Sequence, residues 1–265
     1  PPQAWGGIKG EVANMENFIK NLARGAGKIL REGFRKKIKP SEKTGFWDLV
    51  TKYDLAVDRF VVERIRRKFP SHGIFTEESG HLKKSKRFWI LDPLDGTSSF
   101  SLGIPSFCTA ISYVENGVIK LAAIYEPITD ELFYGKHKSG AFLNGKKIRI
   151  SNKGEIFRAR LVIDLWLQAD AHKYFFKLLK AGIVPPFQTG SAALQCAYMA
   201  GARYDALLQK GAHPWDYSAG ALIMKEGGAK VTDFRGKPYR WDSKEILAAN
   251  PKLHKVIMDI LWKHS

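Results

Sequence analysis

The stretch FWILDPLDGTSSF, from Phe88 to Phe100, carries four apolar residues, Phe88 to Leu91, straight into two aspartates three positions apart. Such a run reads as a buried strand that ends at Asp92. Two carboxylates delivered together at the end of a core strand repel each other, so something positive must sit between them. Strand ends are where α/β proteins gather their active-site groups. The expectation is therefore sheets covered by helices, with chemistry at Asp92 and Asp95.

Other acidic residues fall at comparable places: Glu77 in TEESG, Asp216 in HPWDYSAG and Asp54 in VTKYD. Carboxylates without cysteine or histidine neighbours suit hard, oxygen-preferring ions, of which Mg²⁺ is the commonest around phosphate chemistry. Gly96 to Ser98 are expected to open a helix, whose free N–H groups and positive dipole end can hold a phosphate. Each feature also has a plain structural explanation. Asp92 and Asp95 could be a helix cap and a helix-start charge, TEESG a polar loop, Asp216 an N-cap, and Asp54 either an N-cap or a proton acceptor. His213 is expected to be a loop histidine rather than a ligand.

Around this centre the spacing predicts an amphipathic helix from Met15 through Phe34, after a loose N-terminal arm over residues 1–14. A second helix near Asp54 is stopped by Pro70. Strands are expected at Gly73 to Thr76, Phe107 to Val114, Val118 to Tyr125 and Glu131 to Tyr134. After the polar SNKGE at Ser151 to Glu155, strands at Arg160 to Leu165, Tyr204 to Gln209, Ala229 to Phe234 and Ile246 to Ala249 alternate with helices over 170–181, 191–201, 214–226 and 251–263. Two halves follow, 15–150 and 151–265.

The 265 residues, 45% of them hydrophobic, contain no apolar run long enough for a membrane span. Cys108 and Cys196 have apolar neighbours, which suits buried thiols in a reducing cytoplasm better than a disulfide framework. The 43 basic against 26 acidic residues leave a charge of +17, a field that draws anions of any kind. It accompanies no helix-turn-helix, zinc-finger or RNA-recognition signature, and nucleic acid is the less favoured partner.

WILDPLDGT from Trp89 and WDYSAGALIMKEGG from Trp215 match, in order, the two long signatures of the inositol monophosphatase family, and the chain resembles that family from Met15 to its end. DLVTKYD, FPSHGIFTEESG and GAFLNGKKI extend the likeness. The resemblance implies a layered α/β/α/β/α sandwich of the sugar-phosphatase type, an α+β arrangement with the site between the halves. It implies a Mg²⁺-dependent, lithium-sensitive phosphomonoesterase using two or three ions, and a homodimer acting on small phosphorylated metabolites. By the family's pattern Glu77, Asp92 and the Leu94 carbonyl hold one ion; Asp92, Asp95 and Asp216 hold a second; Glu77 helps with a third. Gly96 and Thr97 would cradle the phosphate, while Asp54 and Thr97 orient and deprotonate a water that the metals have made more acidic. Hydrolysis would be an in-line displacement without a phosphoenzyme. Asp95, Asp216, the small loop Gly190, Ser191 and Ala192, and Gln209 would meet the substrate.

Three departures matter. Thr76 replaces the usual glycine before the metal-binding glutamate, Ser98 to Phe100 replace a Thr-Asn-Phe common in inositol-specific members, and Gln209 stands where those members carry a glutamate that binds ring hydroxyls. The substrates implied are inositol monophosphate and sugar phosphates such as fructose 1,6-bisphosphate. The alternative is a member that binds RNA or the transcription machinery through its basic surface, with phosphatase activity secondary.

Overall fold

The computed structural model describes residues 4–36, 40–42, 49–164, 172–184, 186–211 and 213–262. In chain order the elements are α1 (Ala4–Gly33), β1 (Ser41–Glu42), β2 (Leu49–Val50), α2 (Lys52–Lys68), β3 (Gly73–Thr76), β4 (Gly80–Lys83), β5 (Arg87–Asp95), α3 (Thr97–Ser101), β6 (Cys108–Glu115), β7 (Val118–Glu126), β8 (Glu131–Lys136), β9 (Gly140–Leu143) and β10 (Lys146–Ile148). There follow β11 (Leu161–Asp164), α4 (His172–Lys180), α5 (Ala192–Ala200), β12 (Ala206–Lys210), α6 (Pro214–Glu226), β13 (Lys230–Thr232), β14 (Glu245–Ala249) and α7 (Pro251–Trp262).

An eight-stranded sheet has the order β10-β9-β8-β7-β6-β5-β3-β4, and a four-stranded sheet the order β11-β12-β14-β13. Three apolar clusters bind the layers. Ile19, Leu22, Val57 and Val61 of α1 and α2 pack with Trp89 and Ile111 on one face of the large sheet. On its other face Ala110, Ala122 and Phe133 meet Cys196 and Ile223 of α5 and α6, which lie in turn against Leu207 and Ala248 of the small sheet. Leu178 of α4 and Ile257 of α7 cover the far side of that sheet with Leu208 and Leu247. This is the expected α/β/α/β/α sandwich.

The topology builds the site at one strand end. β3 and β5 are the one parallel pair of the large sheet, with Thr76 opposite Leu91. Their next residues, Glu77 and Asp92, therefore emerge side by side, and the Glu77 N–H donates to the Leu91 carbonyl at 3.2 Å. From the other layer comes α6, whose N-terminus carries Asp216 and whose Gly220 lets it lie directly on α5. A Cβ there would stand 2.2 Å from that of Cys196.

Several expectations need correction. The helix begins at Ala4, so from that residue the arm placed over 1–14 is its first turns. Gly6, Gly7 and Gly10 each cost a helix about 1 kcal/mol, but no proline follows Pro2 to break it. The core strand does not end at Asp92; β5 runs on to Asp95, with its pairing to β6 shifted between Asp92–Ala110 and Asp95–Cys108. The extra residue is a bulge, and Pro93 sits in it, where no ladder N–H is needed. β4 and β10, the two outer strands, went unread because His81, Lys83, Lys146 and Lys147 mask their pattern, as charges on sheet edges do. Residues 1–3 of the arm, Leu165, residues 170–171 and Lys263 lie outside the described residues. No helix among those described is long and apolar enough to cross a membrane.

Candidate active site

Asp92, Asp95 and Asp216 each offer a carboxylate oxygen, and these atoms lie within 4.8 Å of one another. Among the described residues no lysine or arginine pairs with any of the three; the nearest basic group, the exposed His213 imidazole, stays 3.9 Å from Asp216 Oδ2. Burial, then repulsion from Glu77, Asp95 and Asp216, holds the Asp92 carboxyl well above the usual carboxylate range. Asp216 is raised in the same way, by burial and then by Asp95. Asp92 makes side-chain hydrogen-bond contact with both Glu77 and Asp216. Two carboxyls can do this only when one carries a proton, whereas a cation would hold them together with all charged. Asp92 Oδ1 is buried and has no partner. An all-oxygen donor set with an orphaned lone pair fits a hard divalent cation.

Asp95 is held from the opposite side. Its Oδ2 accepts from the Ser191 hydroxyl and the Ala193 N–H, both at 2.6 Å, and its Oδ1 from the Ala192 N–H at 3.2 Å. Ser191 is the N-cap of α5, so the dipole and free amides of that helix steady the carboxylate. Burial still prevails over these bonds and lifts Asp95 to about 6.

Asp54 and Asp216 share a local design. Each is the third residue of its helix, and its carboxylate closes a capping box onto the N-cap, Thr51 for α2 and His213 for α6. Neither is itself the N-cap. Asp54 Oδ2 accepts from the Thr51 N–H at 2.7 Å and the Thr51 hydroxyl at 2.6 Å. Its Oδ1 lies 3.1 Å from Thr97 Oγ1, which is also 3.0 Å from the Leu94 carbonyl. Burial raises Asp54 to about 6 against the pull of Thr51.

Gly96 precedes α3 with φ +92°, and a Cβ there would stand 2.7 Å from the Ser106 carbonyl. Only glycine fits both the conformation and the space. Gly190 also has positive φ and remains exposed at the edge of the site.

Not every residue assigned from the sequence reaches the opening. Gln209 on β12 is fully buried; its Nε2 donates to Gln195 Oε1 at 2.7 Å and its Oε1 lies 3.5 Å from Cys196 Sγ. It has no open face for a substrate alcohol, because both ends of the amide are engaged in the core. Ser191 and Ala192 are likewise buried, and their polar groups serve Asp95. Cys108 and Cys196 are free thiols, as expected. Asp58 is the residue the sequence reading missed. It lies one turn beyond Asp54, and the DLAVD spacing signals it, but it passes easily for part of a solvated helix face.

Carboxylates converging at strand ends and helix starts, beside a glycine-led turn, on this layered frame define a hydrolase of phosphate monoesters. The inositol monophosphatase family model matches residues 11–265, and the chain belongs to that family. It is 35% identical over 245 residues to a fructose-1,6-bisphosphatase/inositol-1-monophosphatase of Thermotoga maritima, covering 92% of this chain and 94% of that protein. It is 36% identical over 252 residues to the Nus factor SuhB of Vibrio cholerae, again covering 92% and 94%. Among solved structures it resembles a Thermotoga maritima IMPase, with TM-score 0.85, 34% identity and 94% and 97% of the two chains covered. An inositol monophosphatase from Anabaena gives TM-score 0.84 and 31% identity, with 96% and 97% covered.

Proposed function

We propose that the chain hydrolyses small phosphomonoesters, inositol monophosphate and sugar phosphates such as fructose 1,6-bisphosphate among them, with Mg²⁺ held in the acidic nest. The observation that carries this reading is the convergence of Asp92, Asp95 and Asp216, with no lysine or arginine among the described residues paired to them. Glu77, Asp92 and the Leu94 carbonyl would hold one ion, Asp92, Asp95 and Asp216 a second, and Glu77 would contribute to a third. Bound there, divalent ions supply charge that offsets the phosphoryl oxygens and makes an attacking water more acidic.

The chain's own residues do the rest. Thr97 Oγ1 can accept a hydrogen bond from water while donating its single proton to Asp54 Oδ1, so the pair orients the nucleophile and gives its proton a destination. Asp54, poised at about 6, is largely ionised at neutral pH and able to accept. The Gly96 and Thr97 amides meet the phosphate, and displacement is in line, with water's oxygen forming the new bond to phosphorus as the alcohol leaves. No enzyme-bound phosphate is required.

A panel of phosphorylated metabolites assayed with Mg²⁺ tests this. Phosphate release should depend on the ion, rise and then fall as Mg²⁺ increases, and be inhibited by millimolar Li⁺. Absence of turnover on every monoester with Mg²⁺ or Mn²⁺ would sink the assignment.

Charge supports a second reading. With +17 overall and relatives that bear the name Nus factor, the basic surface would engage RNA or the transcription machinery while hydrolysis is secondary. RNA affinity titrated with salt should then fall steeply, since each released counterion steepens the slope. Weak binding with a shallow slope would reject it.

A further inference from the structure

Building on that metal reading, we infer that Asp58 is a positioning residue, which fixes the turn bearing Glu77 and ties it to the helix bearing Asp54. Asp58 lies four residues after Asp54 on α2, hence on the same helical face, and is only 6% exposed. Its Oδ1 accepts from the Thr76 hydroxyl, and its Oδ2 accepts from the Ser79 hydroxyl at 2.6 Å. Thr76 Oγ1 in turn accepts from the Glu78 N–H at 3.1 Å and the Ser79 N–H at 3.4 Å. Asp58 thus grips both ends of the 76–79 turn, and Thr76 binds the turn together from within.

Glu77 sits inside this clamp. Its N–H is already fixed on the Leu91 carbonyl, next to Asp92. With the backbone held on both sides, its carboxylate is kept where its charge acts on Asp54, Asp92, Asp95 and Asp216 alike. Thr76, whose hydroxyl a glycine could not supply, belongs to the clamp.

The choice of a carboxylate is also informative. Asp58 is nearly buried, and no lysine or arginine among the described residues pairs with it. Its two oxygens are both acceptors, so each takes one hydroxyl and a single side chain holds both ends of the turn. Helix α2 thereby carries two rails one turn apart: Asp54 sets Thr97, and Asp58 sets Glu77. The distance between the water-orienting pair and the ion-holding carboxylate is fixed by one rigid element.

The test measures Mn²⁺ binding to the full chain by calorimetry without substrate, the Mg²⁺ needed for half-maximal hydrolysis, and the melting temperature. Partners that orient a ligand are worth about ten- to a hundredfold in metal affinity. Asp58→Ala should therefore weaken Mn²⁺ binding about tenfold or more and raise the half-saturating Mg²⁺ by a similar factor, with a smaller loss in kcat at saturating metal. Asp58→Asn should recover most of the loss, because its oxygen can still accept from Thr76 and its amide can donate to Ser79. A folded Asp58→Ala whose Mn²⁺ affinity and Mg²⁺ requirement stay within about twofold of wild type overturns the proposal. Should that variant fail to fold, Ser79→Ala and Thr76→Val, which each remove one hydroxyl, decide by the same criterion. Wild type that binds no Mn²⁺ overturns the metal reading and this proposal with it, and that failure is recognisable because it appears without any substitution.

Discussion

Replacing Asp92 by asparagine should lower kcat/KM on the order of 10³-fold or more, several kcal/mol of lost charge stabilisation, while raising the melting temperature of the metal-free protein. The two effects have one origin. Asp92 is the most crowded carboxylate of the nest, pressed by burial and by Glu77, Asp95 and Asp216, with one oxygen unpartnered. Without a cation its charge opposes folding, and on the proposed metal assignment it would be the ligand shared by two ions. The folded-state pKa of Asp92 is raised above its unfolded value, so the folded protein binds the extra proton. Metal-free stability therefore falls as pH climbs from about 4 toward neutrality, and the gain from Asp92→Asn should be largest near neutral pH and vanish near pH 4. Asp95→Asn and Asp216→Asn should lose activity similarly. Asp95→Asn should gain less stability, since its oxygens already accept from Ser191, Ala192 and Ala193. Melting curves in chelator at both pH values, beside phosphate release across a Mg²⁺ titration, make the comparison. An Asp92→Asn variant with near-normal turnover would remove the aspartate from the metal assignment.

How far a residue's place could be read from the chain depended on whether its neighbours in sequence were also its neighbours in space. The spans of α6 and of hydrophobic strands such as β3 and β7 were legible because apolar periodicity and caps are local signals, whereas the layered order followed from the family resemblance. The acidic residues of the site stood out because they end strands or begin helices. What was hidden depended on distant pairing. The bulge that carries β5 through Pro93 to Asp95 exists only against β6, and the charged edge strands β4 and β10 only against their neighbours. Glu226 of the second signature gives the clearest case. Its carboxylate accepts from the N–H groups of Lys138, Ser139 and Gly140, tying the turn before β9 to the end of α6, far from the acidic nest. A motif residue can thus serve the frame that holds a site rather than its chemistry, just as Asp58, outside any motif, serves Glu77.

Gln209 shows the same limit from the other direction, and its substitution carries the second large effect. Gln209→Glu should destabilise the protein at neutral pH by several kcal/mol, about 10 °C in melting temperature for a chain of this size. The amide nitrogen that now donates to Gln195 Oε1 would become a carboxylate oxygen facing an acceptor, in a fully buried place. The nearest ionisable neighbour along the sheet is Asp164, directly opposite Gln209 in the β11–β12 register. No positive charge comes with the substitution, so the new carboxyl must remain protonated or drive the core apart. Buried glutamates respond with a raised pKa, which makes the penalty absent below the unfolded value near 4 and complete above the raised one. Protonated, the side chain can donate to Gln195 Oε1 again and restore the contact. The expected pattern is thus a variant close to wild type near pH 4 and much weaker near pH 7.5, with no gain in kcat/KM for inositol monophosphate. Equal stability at both pH values, together with a gain of fivefold or more in kcat/KM, on the order of 1 kcal/mol, would mean that position 209 opens toward the alcohol after all.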